Sequence, residues 1–171
     1  MKKIVAALSA LLLASTLFAA EDKSELSGVY VGVGLAVQAV PDKWDENGIG
    51  LVVKGGVALP QVLENLGAEV EMTTSLSDPE DRNGHDVSIL TLAGYMTYDI
   101  HIPDSSFFIR PRAGFILPNL GDSKSVNSRN FGLSTGIAGV IALNKQLNAY
   151  VDYTNLGENI NNYTVGLELK F

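Results

Sequence analysis

The sequence predicts an all-β protein built as an eight-stranded, up-and-down antiparallel barrel. Three observations lead there. Apolar residues recur at every second position in eight separate stretches, the period of a strand with one greasy and one polar face. The connections between those stretches are too short for the crossovers that parallel strands need. Beyond residue 20 no run approaches the roughly 18 apolar residues of a membrane helix.

The first twenty residues stand apart from the barrel. Lys2 and Lys3 form a short basic start, and "IVAALSALLLASTLFAA" gives an apolar run ending in small residues. That is the layout of a secretory signal peptide, expected over 1–20 and cut after Ala19 or Ala20. Residues 21–171 are the expected barrel domain, about 150 residues and enough for one core.

The 171-residue chain carries 12 Lys and Arg against 19 Asp and Glu, a net charge of −7, and loss of Lys2 and Lys3 makes it more acidic. A nucleic-acid partner needs a basic stripe and is not expected. The chain has no cysteine, which removes disulfide scaffolds, thiolate metal sites and lipoprotein anchoring.

The first predicted strand, 27–40, places Val29, Val31, Val33, Leu35 and Val37 opposite Tyr30, Gly32, Gly34, Ala36 and Gln38. The "PDKWDEN" stretch ends it with a proline and charges. Over 48–59, Ile49, Leu51, Val53 and Val57 oppose Gly48, Gly50, Lys54 and Gly56; over 67–77, Val70, Met72 and Leu76 oppose Glu69, Glu71 and Thr73. Only "PQVLENLG" between them has room for a helical turn. The fourth stretch, 87–100, is apolar on both sides; Leu90, Leu92, Met96 and Tyr98 are assigned outward.

In 107–117, Phe107, Ile109, Ala113, Phe115 and Leu117 oppose Arg110, Arg112 and Gly114, and Pro111 costs a ladder hydrogen bond. Stretch 129–143 sets Phe131, Leu133, Ile137 and Ile141 against Gly132, Ser134, Gly136 and Ala138. Stretch 147–156 sets Leu147, Ala149, Val151 and Tyr153 against Asn148, Tyr150, Asp152 and Thr154. The eighth, 162–171, ends with Tyr163, Val165, Leu167, Leu169 and Phe171 on one face.

Alternation does not say which face is inside. A soluble lipocalin-type barrel buries the apolar face, and a membrane barrel exposes it. Four features favour the membrane. The charged face is also the glycine-rich face, as a narrow interior holding long side chains requires. Its charges, Lys54, Glu69, Glu71, Arg110, Arg112, Asp152 and Glu168, come in both signs on facing strands, so that buried charges find partners. The outward aromatics fall at two heights, Tyr98, Phe107 and Phe171 at one end and Phe115, Phe131, Tyr153 and Tyr163 towards the other, like the girdles of a bilayer's two interfaces. The apolar segments run about ten residues, the length of a tilted transmembrane strand. The fold class is therefore an eight-stranded up-and-down antiparallel transmembrane β-barrel.

The terminal Phe171, preceded by Leu169, Leu167, Val165 and Tyr163 at alternate positions, resembles the carboxy-terminal assembly signal of Gram-negative outer-membrane barrels. With "GVYVGVGLAV" as first strand, the chain resembles the small eight-stranded OmpA/OmpX-like outer-membrane β-barrel family over residues 26–171. The resemblance implies an integral outer-membrane protein whose partners are outer-membrane lipid, lipopolysaccharide and, during insertion, the barrel-assembly machinery. Larger OmpA-type members carry a peptidoglycan-binding domain after the barrel; this sequence stops at the barrel, and cell-wall tethering is not expected. No cofactor, metal or catalytic residue is expected, and no ligand is assigned.

The seven inward charges carry the functional reading. They either plug the lumen or line a narrow gated channel. In OmpA-like barrels a similar internal network closes the pore, so the resemblance favours the plug, with an envelope-stabilising or surface-presenting role. A lipid-A-modifying enzyme is the further alternative. "GLSTG" at 132–136 matches the G-x-S-x-G nucleophile elbow, but that motif needs a strand–turn–helix and a histidine after the serine. Here it lies mid-strand, and both histidines, His85 and His101, precede Ser134. His101 with Asp104, Ser105 and Ser106 reads as a turn. Asp78, Glu80, Asp81 and Asp86 read as a solvated acidic loop, without the spacing of a calcium loop. Trp44 either anchors a partner or rests on the membrane interface.

Overall fold

The computed structural model describes residues 28–39, 47–77, 88–121, 131–156 and 161–171, with side chains at 88, 89 and 118–121 not described. The predicted signal peptide, Trp44, the acidic loop and His85 lie outside these residues.

Alternation of β-branched and small residues gives β1 (Val29–Ala39), β2 (Gly48–Ala58), β3 (Leu66–Ser77), β4 (Ser88–Tyr98), β5 (Ile100–His101), β6 (Phe107–Gly121), β7 (Gly132–Ala142), β8 (Leu147–Asn155) and β9 (Asn161–Lys170). Every pairing is antiparallel. Apart from β4 and β5, which do not pair with each other, sequence neighbours pair; β1 pairs with β9 and β4 with β6, so the sheet closes on itself. The barrel has eight strands because β4 and β5 are one strand with a gap. Thr97 faces Arg112 and Ile100 faces Ile109, the same register on both sides. Between them Tyr98 and Asp99 oppose Arg110 and Pro111, and proline has no N–H to give the ladder.

One strand is longer than its sequence pattern. β6 reaches Gly121, pairing with Ser88, where alternation ends at Leu117. Pro118, Asn119 and Gly121 are poor strand formers, and the partner strand holds them in place. Conversely, β7 begins at Gly132, with Phe131 before it outside the strand; 129 and 130 lie outside the described residues.

Three tight turns lie at the end that also holds Val29 and Phe171. Between β2 and β3, Leu63 N donates to Leu59 O at 3.2 Å, and Asn65 takes a φ of 65° before the chain re-enters the sheet. Val62 N also donates to Leu59 O at 3.0 Å and Leu66 N to Leu63 O at 3.1 Å, so the segment with room for a helical turn holds a short run of turn bonds and no helix. Between β5 and β6, Ser105 Oγ donates to Ile102 O and accepts from Phe107 N. Between β7 and β8, Asn144 Oδ1 accepts from the N–H groups of Gln146 and Leu147, an Asx turn. This is the turn end; the other is the loop end.

The outward face is apolar and exposed. Leu35, Ile49, Val70, Leu92, Leu133, Val151, Val165 and their neighbours point away from the lumen, as do Leu90, Met96 and Tyr98. Tyr98, Phe107 and Phe171 sit at the turn end, while Phe115 stacks on Phe131 at 4.7 Å and Tyr153 tilts against Tyr163 at 5.3 Å further up. An all-round apolar exterior of this kind belongs in lipid, not water.

The lumen is filled by side chains. Tyr30 lies over Gly56, Lys54 over Gly32, Arg112 beside Gly136, and Tyr150 over Gly34 and Gly166. The glycines occupy the inward positions that a Cβ would take from those longer chains. Two small apolar clusters also face inward: Ala93, Tyr95, Ile116 and Leu156 on the loop side, and Phe108, Ala138, Val140 and Tyr150 on the turn side. The inward face is thus less purely polar than the alternation alone implies. Gly56→Val is expected to push Tyr30 out of its place and to destabilise the barrel by about 1–3 kcal/mol. Urea unfolding in lipid vesicles measures this; an unchanged midpoint would show that the ring has other room.

Candidate functional site

All seven inward charges proposed from sequence meet in the lumen, and none is more than 6% exposed. Their register explains why. Lys54 on β2 faces Glu71 on β3 and Gly32 on β1, and Gly32 in turn faces Glu168 on β9. Arg112 reaches the same level from β6, beside Gly136 of β7 and near Asp152 of β8.

Arg112 is the hub. Its Nη1 donates to Glu69 at 2.5 Å and to Glu71 at 2.7 Å, and its Nη2 donates to Asp152 at 2.8 Å and to Thr154 Oγ1. The Thr154 hydroxyl in turn donates a hydrogen bond to Asp152 Oδ1 at 2.5 Å. A planar guanidinium suits this role because its donors leave in fixed, divergent directions. The Tyr95 ring lies 4.5 Å from the guanidinium carbon, and the Tyr95 hydroxyl shares a hydrogen bond with Ser134.

A second layer lies towards the turn end. Lys54 Nζ is 2.8 Å from Glu168 and 3.6 Å from Glu69, and it sits 3.6 Å above the centre of the Tyr150 ring. Arg110 Nη1 donates to the same Glu168 oxygen at 3.0 Å. Its other edge grips Asp99 with two bonds, 2.6 and 3.0 Å. Tyr30 donates to Glu69 at 2.6 Å and presents its ring to Arg110. Glu69 and Glu168 tie the layers together, so the network is continuous from β2 to β9.

Sequence reading missed two components. Asp99 is read as the tail of a strand, yet the proline gap places it opposite Arg110. With it, five carboxylates surround three cations. The Pro111 signal was visible; its consequence for residue 99 needs the register. The aromatic rings of Tyr30, Tyr95 and Tyr150 were also missed as partners of the cations.

The other candidates have structural surroundings. Ser134 is buried in β7, and its hydroxyl bonds Tyr95 and the Asn155 carbonyl. His101 stands at the turn end against the Phe108 ring, 5.1 Å between centres. Among the described residues no group of three His, Cys, Asp or Glu side chains is arranged to hold a metal. The terminal set, Tyr163, Val165, Leu167, Leu169 and Phe171, faces outward along β9, and Phe171 N donates to Val29 O, completing the closure with β1.

Closed and charge-filled, the barrel invites comparison with known proteins. The family described as outer membrane protein beta-barrel domain matches residues 6–171. No curated protein matches the chain. Among solved structures, Neisserial surface protein A is similar with a TM-score of 0.61 at 18% identity, covering 85% of this chain and 98% of that one. OprG from Pseudomonas aeruginosa gives 0.60 at 15% identity, covering 85% and 96%. Ail of Yersinia pestis, in complex with the heparin analogue sucrose octasulfate, gives 0.58 at 12% identity, covering 85% and 99%. Identities this low carry the fold alone.

Removing the hub leaves three carboxylates facing one another in a closed space. Arg112→Met is expected to destabilise the barrel by about 3–5 kcal/mol, since the stranded charges lose their shared partner. Lys145→Met, on an exposed turn, should change stability by less than about 0.5 kcal/mol. Urea unfolding of both variants in the same vesicles makes the comparison; equal effects would mean that Arg112 is not the hub.

Proposed function

The chain belongs to the outer membrane protein beta-barrel domain family, and from that premise we propose that this integral outer-membrane barrel is a non-enzymatic envelope element whose lumen is plugged. The observation that carries the reading is the Arg112–Arg110–Lys54 network. It spans the interior from β2 to β9, and its seven inward charges lie among glycines, each no more than 6% exposed. A bore of eight strands is only wide enough for side chains to fill. The role that follows is mechanical and superficial: a rigid barrel that stiffens the outer membrane and carries its loops outward. Lipid and lipopolysaccharide are the partners that the apolar exterior calls for.

The chain's two ends have parts in this reading. Residues 1–20 serve as the export signal and are removed. The outward set ending at Phe171 acts as the recognition element for the barrel-assembly machinery, and the β1–β9 pairing is the seam closed in that step. Ser134 and His101 have packing roles, and the chain performs no lipid chemistry.

The plug is tested by single-channel recording in planar bilayers. The refolded wild type is expected to be silent, and Arg110→Ala and Glu69→Ala to leak or to open intermittently. Steady wild-type conductance that those substitutions retune would make the protein a narrow channel instead. Expressed in cells, Phe171→Ala should lower the inserted yield without lowering synthesis; unchanged insertion would remove the terminal set from assembly.

A further inference from the structure

The three tight turns at the turn end differ at their tips. After β5 the tip is Pro103, Asp104, Ser105 and Ser106, and after β7 it is Asn144, Lys145 and Gln146, with no large aliphatic chain in either. The tip between β2 and β3 instead carries Val62 and Leu63, 73% and 54% exposed. No large apolar side chain among the described residues is more exposed than Val62, so the barrel leaves it uncovered. In bacterial barrels the end with short turns faces the periplasm.

The bonding of this turn gives the two side chains a direction. Leu59 O accepts from Val62 N at 3.0 Å and from Leu63 N at 3.2 Å, and Leu63 O accepts from Leu66 N at 3.1 Å. The chain thus winds once, and residues three and four apart come to the same side. That side holds Leu59, Val62, Leu63 and Leu66. Leu59 N donates to Leu66 O at 2.7 Å, and the two continue the outward alternation of Val57 and Ala68, with Leu66 facing Tyr98. On the other side Pro60, Glu64 and Asn65 border the mouth of the lumen, where Val62 and Leu63 take no part.

The backbone of the tip also suits a place short of water. The N–H groups of Val62, Leu63 and Leu66 are bonded within the turn, and Pro60 has none to bond. We propose that the β2–β3 turn is an interfacial foot that docks on the inner leaflet. Val62 and Leu63 sit among the phospholipid chains just below the headgroups, and Gln61 and Glu64 stay at the water. A short surface with one apolar and one polar side settles at that boundary. The occupant is phospholipid and not a second protein, because Leu59, Leu66 and Tyr98 join the tip to the wall that lipid already covers. The inference rests on the outer-membrane placement and not on the plugged lumen, so a conducting barrel would leave it unchanged.

The chain has no cysteine, so a single introduced one carries a nitroxide label at a known place. Val62→Cys, Leu63→Cys and Glu64→Cys are made in the mature chain, labelled, and refolded into phospholipid vesicles. Val70→Cys on the lipid-facing wall and Lys145→Cys on a polar tip set the two ends of the scale. Power-saturation EPR then compares access by oxygen, which concentrates in the chains, with access by a water-soluble nickel chelate. Labels at 62 and 63 are expected to favour oxygen, as at 70, and to lie about 5–10 Å into the boundary. The label at 64 should favour the chelate, as at 145. Chelate access at 62 or 63 equal to that at 64 would overturn the proposal, since the tip would then stand in water. Oxygen preference at 64 equal to that at 63 would overturn it as well, because the turn would have no polar side.

Discussion

One guanidinium holding three carboxylates inside a closed sheet is the constraint on which the rest of the barrel depends. Arg112 is buried, and its two Nη nitrogens place four hydrogen bonds on acceptors from two other strands. Glu69 and Glu71 come from β3, Asp152 and Thr154 from β8. These strands lie on opposite sides of the barrel wall, and a register slip of one residue would turn every partner outward. The network therefore fixes register across the lumen, whereas the apolar exterior, which lipid solvates equally well everywhere, cannot.

The glycines follow from the same constraint. Arginine, lysine and tyrosine chains cross an interior that eight strands leave narrow, and they fit because Gly32, Gly34, Gly56, Gly136 and Gly166 face them. The two apolar clusters flank the charges on either side. They lower the local dielectric and so strengthen the ion pairs, while making an unpaired charge there more costly. Stability and closure of the lumen thus have one origin, and a residue that weakens the first should weaken the second.

Much of this was legible in the chain. Period-two alternation located the eight strands, and the coincidence of charge with glycine chose the inward face. Even β4, apolar on both sides, was oriented correctly, with Leu90, Leu92, Met96 and Tyr98 exposed. What sequence did not reveal depends on pairs of strands. Asp99 joins the network only because Pro111 interrupts the ladder opposite it. Pro118 to Gly121 continue β6 because β4 holds them in register, against their own preference. Val52, Ile116 and Val140 also face inward, on sides where the sequence reading named only charged, polar and small residues. Alternation put Tyr30 and Tyr150 on the inner face, but only the fold shows their rings beside Arg110 and Lys54.

The most direct test of the central claim is nitrogen-detected NMR of the Arg112 guanidinium in lipid nanodiscs. A hub that bonds four partners at once cannot rotate freely, and its Nη protons are shielded from water. The account predicts four separate Nη proton signals that exchange slowly with solvent and collapse in an Asp152→Asn, Glu71→Gln variant. A single averaged signal in rapid exchange would place Arg112 in a wet, open lumen and contradict the account.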